Sequence, residues 1–161
     1  MKARLATPFD IDMVLGLQRK NLVSNMTDEE KRNGFVTTPF TLKQLNDLIQ
    51  VDGLFVLDDD GAVVGYAMAA GWDYFEGRPM FDYMIERFSG LNYKGTAIMR
   101  DNFFQYGPVC IAGEKRGTHT LPALFEEMRA HMSSSFDVGT TFINKTNADL
   151  SRLTPERSGS M

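Results

Sequence analysis

The residues best placed to do chemistry lie between an apolar run, Val109-Cys110-Ile111-Ala112, and a helix-periodic stretch opening at Leu121. Joining them is Gly113-Glu114-Lys115-Arg116-Gly117-Thr118, polar and glycine-containing. A helix N-terminus presents amides without intrahelical acceptors at the positive end of its dipole. The junction therefore suits an anion such as a pyrophosphate, and Lys115 and Arg116 add charge. An ordinary strand-to-helix turn with solvated charges has the same appearance. Candidate general bases are few: Glu114 beside the loop, and Asp73 and Glu76 in an aromatic segment. Each of the three also reads as a plain surface carboxylate. Tyr66 is a candidate catalytic hydroxyl if it faces a cleft and a core residue by default.

Spacing argues against other chemistries. No Gly-Lys-Ser/Thr and no GxGxxG occurs, so a nucleotide triphosphatase and a dinucleotide dehydrogenase have no support. His119 and His131 are too far apart for a HExxH pair, and no metal is expected. Asp58-Asp59-Asp60-Gly61 reads as a hairpin tip, because a calcium loop needs a longer ligand ladder. Cys110 is the single cysteine; it can form no internal disulfide, and its apolar setting reads as a buried strand position.

The elements that must position these residues follow from periodicity and caps. Arg4-Leu5-Ala6 suits a short strand, and Thr7-Pro8-Phe9-Asp10 a helix start, with Thr7 as cap and Asp10 at the dipole's positive end. Residues 25–38 are polar and read as a loop or broken helix. Thr41-Leu42-Lys43-Gln44 is a capping box, with Phe40 and Leu45 spaced as a hydrophobic staple. Residues 54–57 and 62–68 form a hairpin about the aspartate tip. Residues 71–93 are aromatic-rich, with Phe81, Met84, Ile85 and Phe88 at helical spacing. Residues 103–112 read as a strand. Leu121, Leu124, Phe125, Met128 and Met132 give an amphipathic helix, and residues 136–143 a return strand parallel to the first.

Composition bounds the partners. The chain has 161 residues, 43% hydrophobic and 24% charged, which suits one α/β domain. Net charge is −4 and no Lys/Arg run exists, so no nucleic-acid partner is expected. The N-terminal residues lack the apolar core of a signal peptide and no run approaches a membrane span. The expectation is a cytoplasmic protein without a membrane partner.

The run from Val109 to Thr118, with the helix after it, resembles motif A of the GNAT (Gcn5-related) N-acetyltransferase superfamily. The surrounding order is similar too: an N-terminal strand, paired helices, a hairpin with Val64-Gly65-Tyr66-Ala67, and then the motif. After it, Thr140-Thr141-Phe142-Ile143-Asn144-Lys145-Thr146-Asn147 looks like the next strand and the start of a further helix. The resemblance spans residues 3–152. It implies a GNAT acyl-CoA N-acyltransferase fold, α/β with a mixed sheet, in a domain of residues 1–152 with a short tail at 153–161. It also implies that acetyl-CoA is a co-substrate. The backbone of Val109, Cys110 and Ile111 would pair with its pantetheine arm. The stretch Arg116, Gly117, Thr118, His119, Thr120 and Leu121 would hold its pyrophosphate, and Asn144 or Asn147 would contact it near the following helix. An amine on a small molecule or peptide would attack the thioester directly.

Three features depart from the family. The motif is usually Arg/Gln-x-x-Gly-x-Gly/Ala, and here His119 and Leu121 take the small-residue positions, where the backbone must approach phosphates closely. The His119 ring either crowds the pyrophosphate or donates to it. Pro122 fits a first helical turn and fixes the helix start near Thr120. No tyrosine lies beyond Tyr106, so the family's usual general acid has no counterpart, and the expected C-terminal strands are truncated. A sheet edge left open in this way favours a homodimer. The alternative to an N-acetyltransferase is a catalytically weak acyl-CoA-binding or interaction module.

Overall fold

The computed structural model describes residues 1–32, 34–117 and 119–141. A five-stranded mixed sheet has the order β1-β2-β3-β6-β7: β1 (Lys2–Leu5), β2 (Leu54–Asp59), β3 (Ala62–Gly71), β6 (Phe103–Ile111) and β7 (Val138–Thr140). Neighbours are antiparallel except β6 and β7, which are parallel, as a strand–helix–strand unit requires. The β2–β3 corner is Asp60-Gly61, with φ of 51° and 89°. Two positive φ values give the turn whose twist matches a two-residue hairpin, and Asp-Gly suits both positions. Asp58 and Asp59 remain on β2, so the turn is tighter than the run of three aspartates suggests.

Two helical layers cover the sheet. Every residue from Val63 to Ala70 is buried, and successive strand side chains point to opposite faces, so β3 is covered on both. On one face lies α6 (Thr120–Met132), packed on β1, β2 and β3. Its buried residues Leu124, Met128 and Met132 repeat at helical spacing, and each contributes on the order of 1.5–3 kcal/mol by leaving water. On the other lie α1 (Ile11–Asn21) and α3 (Leu42–Gln50). Pro8–Asp10 forms a 3-10 turn that leads into α1. The Thr41–Gln44 capping box is formed, and Phe40 and Leu45 are both buried. The polar stretch before it holds a single-turn α2 (Asp28–Lys31), capped reciprocally by Thr27 and Glu30.

Asp10 does more than complement a dipole. Its carboxylate takes Arg4 Nη1 at 2.8 Å and the Thr7 amide at 2.8 Å, while Arg4 Nη2 reaches Asp58 at 2.9 Å. The guanidinium first, then the Thr7 amide, holds the nearly buried carboxyl below its usual range. The β3-to-β6 connection, residues 72–102, is long for antiparallel neighbours. It contains α4 (Trp72–Phe75), α5 (Pro79–Phe88) and a small hairpin of β4 (Asn92–Tyr93) and β5 (Thr96–Ala97). Trp72, Phe75, Phe81 and Phe103 pack ring against ring, and Tyr74 Oη donates to Gln44 O at 2.8 Å, which fastens the connection to α3. Among the described residues no helix is long and apolar enough to cross a membrane.

Candidate functional site

Strand β6 has two different edges. One pairs with β3 along nearly its whole length, from Gly71↔Phe104 to Gly65↔Ile111, and Ala112 N adds a bond to Val64 O at 2.8 Å. Among the described residues the other pairs with β7 at Phe103, Phe104 and Gln105. Thr141 Oγ1 then donates to Tyr106 O at 2.7 Å. From there to Ile111 no strand among the described residues pairs with this edge. The parting coincides with an irregularity. Ala67 faces Val109 while Ala69 faces Tyr106, so β6 carries one more residue than β3 across that interval. Gly107, with φ of 110°, and the cis Gly107–Pro108 bond lie within it. A positive φ of that size is glycine's, and a bulge re-aims the backbone groups beside it.

The open edge leads to the predicted anion turn. Gly113–Lys115 forms a 3-10 turn, Gly117 has φ of 76°, and His119, the N-cap of α6, has φ 61° and ψ 12°. Thr120 Oγ1 donates to Lys115 O at 2.9 Å and closes the turn. Thr120 and Leu121 sit in the first turn of α6, where amides have no intrahelical acceptor, and Pro122 has no N–H to orphan. The His119 side chain makes no capping hydrogen bond to this helix start. The left-handed backbone at position 119 adds a second reason for a small residue there, beyond close approach to a phosphate.

The two basic side chains of the turn are engaged by protein groups. Lys115 Nζ meets Asp59 at 2.8 Å, tying the turn to the β2–β3 tip; the pair is half-exposed, so an anion can compete for the ammonium. Arg116 is held by Ile111 O at 2.9 Å and Asn21 Oδ1 at 2.9 Å. The Lys115 and Arg116 amides bond Ala112 O and Gly113 O, which leaves the amides of the first α6 turn as donors without an intrahelical acceptor.

Of the remaining candidates, Glu114 is exposed on the 3-10 turn. Asp73 and Glu76 share Arg100, at 3.1 and 2.9 Å, and sit beyond the far end of β3, roughly 25 Å along the sheet by strand rise. Tyr66 is fully buried opposite Cys110, whose thiol interacts with its hydroxyl. Burial raises the Tyr66 phenol well above its ordinary value and pushes the Cys110 thiol up to about 11. Burial therefore keeps the Tyr66 hydroxyl protonated at neutral pH. Val109, Cys110 and Ile111 lie together on the open stretch, and Arg116, Gly117, His119, Thr120 and Leu121 on the turn that follows. Thr118, Asn144 and Asn147 lie outside the described residues.

Sequence reasoning did not single out the polar cluster where β6 and β7 part. Gln105 is fully buried, with Nε2 donating to Tyr106 O at 3.0 Å, and Thr140 Oγ1 lies 3.1 Å from Phe104 O and 3.3 Å from Gln105 Oε1. A glutamine inside the apolar run Phe103-Phe104-Gln105-Tyr106 was the available signal. Among the described residues no cluster of His, Cys, Asp and Glu is placed to hold a metal ion.

No protein-family model matches the sequence, and no curated protein matches it either. Solved structures do match. The chain is similar to the aminoglycoside N-acetyltransferase AAC(6')-Iy in complex with a bisubstrate analogue of CoA, at a TM-score of 0.60 and 12% identity over 94% of this chain and 85% of that one. It is similar to the ribosomal-protein-alanine N-acetyltransferase of Brucella melitensis, at a TM-score of 0.60 and 18% identity over 95% and 80%. It also matches a GNAT-like decarboxylase, GphF, in complex with isobutyryl-CoA, at a TM-score of 0.53 and 16% identity over 86% of this chain and 65% of that one. At these identities the likeness is one of fold: the chain has the GNAT fold, a mixed α/β sheet flanked by helices.

Proposed function

We propose that this chain is an acyl-CoA-dependent acyltransferase of the GNAT superfamily, moving an acetyl group from acetyl-CoA to an amine. The observation that carries the reading is the stretch of β6 from Val109 to Ile111, which no strand among the described residues pairs with on the side away from β3 and which ends on the amide-bearing turn before α6. An extended amide-containing arm can pair with such an edge, and an anionic group can accept from amides at a helix start. Similarity to structures that hold CoA or acyl-CoA supports the same ligand class. In this reading the pantetheine arm lies along the stretch Val109, Cys110 and Ile111, where Val109 and the Ile111 amide face away from β3, and Gly117, His119, Thr120 and Leu121 offer amides to the pyrophosphate.

The reaction asks little of the protein. The amine nitrogen attacks the thioester carbonyl, the carbon–sulfur bond breaks, and the amine's proton passes to solvent or a base while the thiolate is protonated. Orientation and a hydrogen bond to the tetrahedral oxyanion are the main contributions. In this reading a β6 amide near Ile111 supplies the second. Glu114, exposed at the outer turn, and Tyr66, a buried donor, are the candidates for proton transfer.

A second reading is an acyl-CoA-binding protein without N-acetyl transfer. It is favoured by His119 and Leu121 at the turn's small-residue positions and by the fold's occurrence in a GNAT-like decarboxylase. The two are separated by titrating acetyl-CoA calorimetrically and then following thiol release with a panel of small amines and peptide N-termini. Binding with amine-dependent release supports the transferase. Binding without release across the panel leaves the second reading.

A further inference from the structure

Arg116 joins pieces of the chain that are remote in sequence. Its Nε donates to Ile111 O at the end of β6 (2.9 Å), its Nη1 to Gly34 O (3.3 Å), and its Nη2 to Asn21 Oδ1 at the end of α1 (2.9 Å). Asn21 is itself oriented, because its Nδ2 donates to Leu17 O at 2.8 Å and turns the oxygen toward the guanidinium. The Asn21 carbonyl accepts from Val36 N at 2.9 Å, and Val23 N donates to Val36 O at 3.0 Å, so the 22–40 connection is folded back onto the same corner. Its far end is fastened too: Gln18 Oε1 accepts from Phe40 N at 2.8 Å and Gln18 Nε2 donates to Phe40 O at 3.0 Å. A planar guanidinium with its donors in a fixed fork can hold such a three-way junction, which an ammonium cannot reproduce.

We propose that Arg116 is a positioning residue that makes the turn at residues 113–121 and the 22–40 connection one mechanical unit. A ligand that orders the turn then orders the connection on the α1 face of the sheet, and by linkage the reverse holds. The ligand half of this statement rests on the acyl-CoA reading above; the junction itself does not.

Amide hydrogen exchange on the full chain tests both halves. Without ligand, Asn21→Ala removes one acceptor on α1. It is expected to speed exchange about tenfold at the Lys115 and Arg116 amides, which bond Ala112 O and Gly113 O in the turn. Arg116→Gln is expected to speed Val23 and Val36 by a similar factor and Arg116→Lys by less, with Ile98 in the remote small hairpin unchanged in all three. A change confined in each variant to its own side of the junction overturns the proposal. At saturating CoA, slower exchange at Val36 is expected in the wild type and not in Arg116→Gln; equal slowing in both overturns the coupling. If Arg116→Gln does not fold, Asn21→Ala decides alone. If the wild type binds no CoA at millimolar concentration, the acyl-CoA reading falls while the ligand-free comparison still decides the junction.

Discussion

The two halves of β6 are built to opposite ends. Phe103, Phe104 and Gln105 are buried, paired with β7 and, from Phe104, also with β3, and locked by rings: Phe103 against Trp72 at 5.1 Å, Phe104 against Phe136 at 5.8 Å. Tyr106 and residues 109–111 keep the β3 pairing, and among the described residues no β7 residue is registered against them. The side chains of Cys110 and Ile111 remain buried, so what this half offers outward is backbone. One strand therefore anchors the fold at one end and supplies a recognition edge at the other. That edge runs toward the first turn of α6, where Thr120 and Leu121 amides have no intrahelical acceptor.

Substitutions at four positions can break or sharpen that contrast. The largest effect belongs to the closed half: Phe103→Ala should cost about 3–5 kcal/mol, read as a lower urea midpoint. Any loss of CoA binding should then follow unfolding. Gly107→Ala comes next, because φ of 110° is hostile to a Cβ and Thr141 Oγ1 would lie 3.5 Å from it. A loss of about 2 kcal/mol is expected, together with a shift in the β6–β3 register visible in amide spectra. An unchanged spectrum would mean that glycine does not set the parting.

Smaller effects test the turn and a remote control. His119→Gly should gain about 1 kcal/mol by relieving a left-handed residue, whereas His119→Ala should not. If both variants raise CoA affinity, the ring crowds the site; if both lower it, the ring is a donor. Asp10 gives the least. Its carboxyl is depressed, so its contribution is present above the unfolded carboxylate value near pH 4 and is lost as pH falls from there through the lower native value. With Arg4 partly exposed the contribution is about 1 kcal/mol or less. Asp10→Asn should flatten acid unfolding over that range without moving CoA affinity at neutral pH, since Asp10 lies on the β1 side of the sheet.

Local signals in the sequence were enough for local structure. The Thr41–Gln44 box, the Asp60-Gly61 corner and the α6 start at Thr120 are each written in a few adjacent residues. The single-turn α2 escaped because one turn in a polar stretch has no apolar period to reveal it, although Thr27 and Glu30 spell its cap. The site was legible in its chain order and not in its geometry. Where β6 leaves β7 depends on register between strands separated by a helix, and the engagement of Arg116 by Asn21 and Gly34 joins positions far apart in sequence. Asp10 shows the same limit: its dipole position is local, but its partners Arg4 and Asp58 meet it through the sheet.

The central claim is that the open half of β6 and the turn after it receive an acyl-CoA. Amide chemical-shift mapping with CoA titrated into the labelled chain tests it most directly. The account predicts saturable shifts at Val109, Cys110 and Ile111 and at Gly117, His119, Thr120 and Leu121, with Phe103 and Phe104 little changed. Shifts absent at millimolar CoA, or clustered away from these residues, would contradict it.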